Sequence, residues 1–325
     1  MAPGTRVAVV TSGGDAPGMN AALRAIVLEL HVRGLVAWGV RHRFAGLGRG
    51  DWHPLAPSDV EGIDAEAGTI LGSARSESFR LEESVEETAT RMRTAGLNRL
   101  IAIGGNGTQR GAEALGRHDI AVVGVASTID NDVPGIDRSI GCATAAATVL
   151  EAIDRLRATA RSHRRVALVE TMGRGSGWLA LAAGIAGCAD AIVCPEVDLS
   201  PPDVAGLLTD AWRSGRRGLV VVVAEGSTHT IGEIAHHLEY VAKPGWETRT
   251  TILGHVQRGA RPAWEDRCLG RKAGVAAAQA MRAPRPAGIA GIANGEFGPH
   301  VFADPHPPTV ATQEWIALAP RPRES

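Results

Sequence analysis

Six consecutive residues, Ser127-Thr128-Ile129-Asp130-Asn131-Asp132, set two carboxylates and a hydroxyl at the end of the short apolar run Ile120–Val125. A carboxylate held beside an acceptor hydroxyl can take its proton while the oxygen attacks phosphorus, and a second carboxylate two residues on can orient the same acceptor. The same residues also suit an Asx-rich surface turn. The rest of the chain must decide between the two.

Two glycine turns point toward phosphate. The run Val7–Val10 leads into Thr11-Ser12-Gly13-Gly14-Asp15-Ala16-Pro17-Gly18-Met19-Asn20, and Leu100–Ile103 leads into Gly104-Gly105-Asn106-Gly107-Thr108. Glycines let backbone amides approach an anion closely, and a following helix adds positive potential at its N-terminus. Neither turn fits GxGxxG or GxxxxGK[ST], and each alone is equally a structural tight turn. On neighbouring strands they would form a double phosphate cradle. Arginines beside loop signals are the next candidates, because a guanidinium grips a phosphate with parallel hydrogen bonds: Arg75, Arg174, Arg249 and Arg258. Singly, each is also an ordinary solvated surface group. Glu225, just past the run Leu219–Val223, can bind hydroxyls or cap a helix. His255 has no nearby Ser or Cys nucleophile with a supporting acid, which argues against a hydrolytic triad.

Such residues need a scaffold that delivers strand ends to one edge. Apolar β-prone runs recur at Val7–Val10, Leu100–Ile103, Ile120–Val125, Val166–Val169, Ala191–Val193, Leu219–Val223 and Ile289–Ile292. Helical stretches separate them, at Asn20–Val32, Ser139–Ala160, Trp178–Ala186, Asp203–Trp212, Gly232–Val241 and Gly270–Met281. The alternation predicts an α/β chain of two doubly wound, three-layer α/β/α domains with mainly parallel sheets. The length of 325 residues agrees with two domains. With 44% hydrophobic and 21% charged residues, a net charge of −1, no apolar run of membrane-spanning length and no secretory leader, the expected setting is the cytoplasm. Nucleic acid and membrane are not expected partners: no basic run exists, and nearly all the positive charge is arginine, with Lys243 and Lys272 the only lysines. Cys142, Cys188, Cys194 and Cys268 lack metal spacing and read as reduced thiols. The Pro-rich tail after Asp304 is expected to wrap the surface.

Taken together, TSGGDAPGMNAA at Thr11–Ala22, LGSAR at Leu71–Arg75, TIDND at Thr128–Asp132, EAIDRL at Glu151–Leu156, MGRGSGW at Met172–Trp178 and LGHVQRG at Leu253–Gly259 closely resemble the 6-phosphofructokinases, most of all the bacterial ATP type. The blocks run in order over nearly the whole chain. The resemblance implies transfer of the ATP γ-phosphoryl to the 1-hydroxyl of fructose 6-phosphate with Mg2+, in a homotetramer or homodimer whose subunits share active sites. It implies a nucleotide-binding domain of residues 1–138 plus 252–304, and a sugar-phosphate domain of 139–251 plus 305–325. Asp130 would be the base, with Thr128, Arg75 and Arg174 completing the catalytic set. Gly13, Phe44, Arg75, Arg80, Gly105, Asn106, Gly107 and Thr108 match the nucleotide side, and Asn106 the metal position. Thr128, Asp130, Asp132, Met172, Gly173, Arg174, Glu225, His255 and Arg258 match sugar-phosphate contacts, and Arg165 and Arg249 match arginines reaching in from a neighbouring subunit. Phosphoryl transfer rests on positioning and charge neutralisation, so the missing P-loop lysine is no objection.

The chain departs from the pattern in three places. Asn106 stands where an acid is usual, and an amide brings no negative charge to a hard divalent cation. That departure motivates a rival reading, a catalytically weak sugar-phosphate-binding paralogue, against which Asp130 argues. Gly107 and Ser127 replace the aspartate and lysine of pyrophosphate-using relatives, and their small size favours ATP; another sugar phosphate as acceptor stays open. At the effector pocket Arg24, Arg157, Asp190, Arg216 and Arg217 match, but Leu28 and Gly218 stand where cations are usual. Weak or absent allostery is expected.

Overall fold

The computed structural model describes residues 4–73, 82–242, 245–284, 286–300 and 315–321. The chain divides into two compact units, Met1–Thr144 with Arg258–Pro307, and Ala145–Gln257 with Pro308–Ser325. Each limit falls a few residues beyond the position read from the sequence.

The first unit is built on a sheet whose inner strands are parallel. Its strands are β1 (Arg6–Thr11), β2 (Val36–Val40), β3 (Trp52–Leu55), β4 (Arg99–Gly104), β5 (Ala121–Thr128), β6 (Ile140–Gly141), β11 (Ile289–Ala293) and β12 (Glu296–His300). Their order is β12-β11-β5-β4-β1-β2-β3, with β6 added beside the end of β5. Among the described strands of this sheet only β2 with β3 and β11 with β12 run antiparallel, at the two edges. The inner strands carry Val7, Ala8, Val9, Val10, Leu100, Ile101, Ala102 and Ile103 without measurable exposure, as strands covered on both faces must. From β1 the chain winds to β2 through α1 (Met19–Val32), and from β4 it winds the opposite way to β5 through α4 (Asn106–Gly116). The order therefore reverses between β1 and β4, where open α/β sheets carry their ligand crevice.

Helix α9 (Trp264–Ala280) packs along α1 through small residues. A Cβ on Gly274 would stand 2.5 Å from Ala22 O, and one on Gly270 2.9 Å from Gly18 O, so the close approach requires glycine at both places. The sequence reading begins this helix at Gly270. It begins six residues sooner, with Glu265 in its first turn suiting the positive end of the helix dipole.

The second unit holds a four-stranded, all-parallel sheet in the order β10-β7-β9-β8, made of β7 (Val166–Thr171), β8 (Ala191–Val193), β9 (Leu219–Ala224) and β10 (Thr248–Ile252). Its helices include α6 (Trp178–Ala186), α7 (Pro201–Arg213) and α8 (Ile231–His236). A Ser200/Asp203 capping box with Pro201 at the first helical position starts α7 two residues before the apolar pattern does. The segment read as one helix over Gly232–Val241 is α8 followed by a π-helical turn, His237–Ala242. Helix α5 (Cys142–His163) starts in the first unit and continues into the second.

Strands β2, β3, β10 and β12 and helices α2 (Arg43–Arg49), α3 (Glu82–Thr94) and α4 do not appear in the sequence reading. Strands β2, β3 and β10 are short edge or near-edge strands with interrupted apolar patterns, and α3 and α4 are strongly polar. The tail read as a surface wrap lies mostly outside the described residues.

Candidate active site

In the first unit the loops after β1, β4 and β5 touch one another. The Ser12 N–H donates to Ile103 O at 3.1 Å, and a Cβ on Gly104 would lie 2.4 Å from both Ser12 O and Thr108 Oγ1. Gly13, at φ +86°, faces Thr108 Oγ1, and Gly105 faces Thr128. The two glycine turns are thus one surface that includes the start of α4, whose Gly105 N-cap makes no side-chain capping bond. Thr108 is 2% exposed, and its Oγ1 has no hydrogen-bond partner among the described residues. Arg258 lies against Gly14, whose hypothetical Cβ would meet its guanidinium at 2.4 Å, and faces Asp15 Oδ1 at 3.8 Å.

Strand β5 delivers the acids to the same place. The Asp130 N–H donates to Thr128 Oγ1 at 3.2 Å, turning the chain sharply, and Asp130 is only 4% exposed. Asn106 crosses from α4 to this loop: its Nδ2 donates to Asp132 Oδ2 at 2.7 Å and to Asp132 O at 3.0 Å. That leaves Asn106 Oδ1 buried with no partner among the described residues. Arg258, Gly13, Gly105, Asn106, Gly107, Thr108, Thr128, Asp130 and Asp132 are therefore brought together. Phe44 is not presented to this surface. It is 3% exposed in the core beneath, its ring against Gly111 of α4. Ser127 is likewise fully buried, its Oγ donating to Ile140 O at 3.3 Å, so it packs a strand pair instead of leaving open space. At Gly107, by contrast, a Cβ would meet nothing within 4 Å among the described residues. Arg75 and Arg80 lie outside the described residues.

The second unit assembles its candidates at the carboxyl ends of β7 and β9. Glu225 Oε1 accepts from Gly173 N at 3.3 Å and Arg174 N at 3.0 Å, and Glu225 N donates to Thr171 O. Gly173 (φ +139°) and Arg174 (φ +51°) both use left-handed backbone, which presents the Arg174 side chain outward. The turn passes so close to Gly226 that a Cβ there would fall 1.5 Å from Arg174 O. Met172 is tied by its N–H to Gln257 Oε1 at 3.2 Å, while His255 is exposed in the same 3-10 turn as Gln257. Burial, with Glu225 adding to it, holds the Glu170 carboxyl above its usual range. Arg165 and Arg249 share one carboxylate, Glu247 Oε2, at 2.8 and 3.0 Å beside edge strand β10.

Gln257 and Asn131 were missed as site builders. Both act through an amide side chain that ties two distant backbone groups, which no local pattern announces. Of the four arginines matched to an effector pocket, Arg216 pairs with Asp190 at 2.6 Å, Arg157 donates to Gly187 O and Cys188 O, and Arg217 lies over the Trp212 ring. Burial pushes the Asp190 carboxyl upward against the pull of Arg216 and Arg157.

The family model described as Phosphofructokinase matches residues 6–281. The ATP-dependent 6-phosphofructokinase 1 of Thermus thermophilus is 44% identical over 306 residues, 92% of each chain. The ATP-dependent 6-phosphofructokinase of Brevibacillus brevis is 42% identical over 90% of this chain and 91% of its own. Among solved structures, the phosphofructokinase of Pichia pastoris in the T-state superposes with a TM-score of 0.88 at 31% identity, covering 98% of this chain and 36% of that longer one.

Proposed function

The chain belongs to the phosphofructokinase family, and from that premise we propose that it is an ATP-dependent 6-phosphofructokinase, moving the γ-phosphoryl of ATP to the 1-hydroxyl of fructose 6-phosphate to yield fructose 1,6-bisphosphate and ADP. The observation that carries this reading is the continuous surface of two glycine turns, a helix start and the Thr128–Asp132 acids at the strand-order reversal between β1 and β4. A phosphate chain on the glycine turns lies within reach of an acid that can serve as base.

Asp130 takes the proton from the sugar 1-hydroxyl. Thr128 Oγ1 accepts from Asp130 N, and its own proton serves the transferring phosphoryl group. Arg174 supplies positive charge to the sugar phosphate, held in place by Glu225, whose second oxygen takes sugar hydroxyls. The enzyme works in the cytoplasm as a homotetramer or homodimer, in which Arg165 and Arg249 serve a neighbouring subunit's sugar phosphate. Among the described residues no helix is long and apolar enough to cross a membrane.

The residues present suit Mg2+. Asn106 Oδ1 is a buried, unpartnered oxygen beside the Asp132 carboxylate, and among the described residues no cluster of three or more acidic, His or Cys side chains offers a ready cage. Mg2+ is commonly held in this way, by one or two protein oxygens together with substrate phosphates. When bound, it neutralises charge on the phosphate chain. Among the described residues nothing lies within 4 Å of a Cβ at Gly107, where bulk would crowd a nucleotide, and this favours ATP over pyrophosphate.

A coupled assay that pairs ATP or pyrophosphate with fructose 6-phosphate or other sugar phosphates tests the reading. Turnover is expected with ATP and fructose 6-phosphate. Failure of every pairing refutes an enzymatic role, and turnover with pyrophosphate alone refutes the donor.

A further inference from the structure

Asn131, between the two acids, is held in the loop by both its backbone conformation and its side chain. It is 3% exposed and adopts φ +50°, a left-handed conformation that asparagine tolerates better than most residues. Its Nδ2 donates to Asp137 O at 3.1 Å, and its Oδ1 accepts from Ser139 N at 2.8 Å. The two partners differ in kind, one acceptor and one donor, so only an amide satisfies both. Residues 132–138 form no extended strand or helix; an isolated bridge of Arg138 with Ile292 and the bond from Asp137 N to Ile292 O tie them to β11, and the Asn131 side chain ties their two ends together.

The far end of the span is anchored in turn. Ser139 leads into β6, which pairs with Ser127 and Thr128. Gly141 N donates to Asp266 Oδ1 at 2.8 Å, and Thr144 N to Asp266 Oδ2 at 2.8 Å. Asp266 is 1% exposed on α9, and burial raises its carboxyl. A buried hydrogen-bonded series thus runs from α9 through the start of α5 and Ser139 to Asn131, and ends at the peptide units that aim Asp130 and Asp132.

We infer that Asn131 is a positioning residue for phosphoryl transfer, fixing the direction of the Asp130 and Asp132 carboxylates by its own backbone conformation and its two side-chain bonds. The inference rests on the proposed kinase activity for its rate measurements. A base must be held to a fraction of an ångström, and misplacement by about 1 Å costs on the order of a hundredfold in rate. A residue that only stabilised the fold would leave the rate per folded molecule alone.

The test uses Asn131→Gly, which accepts the left-handed backbone but removes both bonds, and Asn131→Asp, which keeps the acceptor for Ser139 N and adds a charge between two acids. Turnover of the unaltered enzyme with ATP and fructose 6-phosphate is measured first; its absence refutes the proposed function, while amide exchange still reports on the loop. In Asn131→Gly, Ser139 N–H is expected to exchange faster, and kcat to fall roughly 10- to 100-fold with KM values within about threefold of the original. In Asn131→Asp, the acidic limb of the kcat profile should move to higher pH, because a like charge disfavours ionisation of the base. Unchanged Ser139 exchange in Asn131→Gly overturns the inference. So does kcat per folded molecule within about twofold of the original, or an unmoved acidic limb in Asn131→Asp.

Discussion

Asn106→Asp converts a hydrogen bond into a like-charge contact. Asn106 Nδ2 donates to Asp132 Oδ2 at 2.7 Å and to Asp132 O at 3.0 Å, so a carboxylate in its place sets two acids near 3 Å apart and loses both bonds. At an effective dielectric of 20, two charges at that separation repel by about 5 kcal/mol. Both residues are half-buried, and solvent screening cuts the figure to about 1–3 kcal/mol. The lost bonds add about 1 kcal/mol each. Without metal the variant must melt lower than the parent. A divalent cation between two acids reverses the term, since repulsion becomes joint ligation, and about 1.4 kcal/mol recovered corresponds to tenfold tighter binding. The assay is thermal melting across a Mg2+ titration, with Asn106→Ala as the control that loses the bonds without adding charge. Asn106→Asp should be the less stable protein without Mg2+, regain stability as Mg2+ rises and show an apparent Mg2+ constant at least about tenfold lower. Asn106→Ala should melt lower and not be rescued. Equal melting of Asn106→Asp and the parent without metal, or identical Mg2+ dependence, refutes the reasoning.

Asp130→Ser should lower kcat at least about a hundredfold while leaving sugar-phosphate binding nearly intact, as steady-state kinetics and calorimetric binding would show; an unchanged rate removes Asp130 from the role of base. Gly226→Ala forces the Arg174 turn aside, because its Cβ falls 1.5 Å from Arg174 O; KM for fructose 6-phosphate should rise at least about tenfold with a smaller change in kcat, and an unmoved KM counts against the turn. The buried thiols Cys142 and Cys194 are each pushed up to about 12, chiefly by burial, from 9.0, so the unfolded chain releases these protons before the native one. Stability should therefore fall by up to about 1.4 kcal/mol per pH unit per thiol between pH 9 and 12, read by denaturant melts. A thiol reagent at neutral pH should meet only Cys188 and Cys268, the exposed pair.

The sequence by itself determined the strand ends that carry chemistry. Apolar runs long enough to be buried on both faces mark β1, β4, β5, β7 and β9, and the polar residues just past each run are the ones found at the carboxyl edges, because a parallel strand can only end where its apolar burial ends. Glycine positions were legible for a related reason: Gly13 and Gly173 use positive φ, and Gly104 and Gly226 are approached too closely for any Cβ. What the tertiary structure alone decided is which groups remain available. Phe44 is spent on the core, Ser127 on the β6 pairing, and Arg157 and Arg216 on Asp190, while Asn106 Oδ1 is left without a partner among the described residues. The roles of Asn131, Gln257 and Asp266 also lay beyond sequence reading. Each joins groups from 8 to 125 residues apart, and a hydrogen bond across such a distance exists only after the sheets have set the two ends side by side.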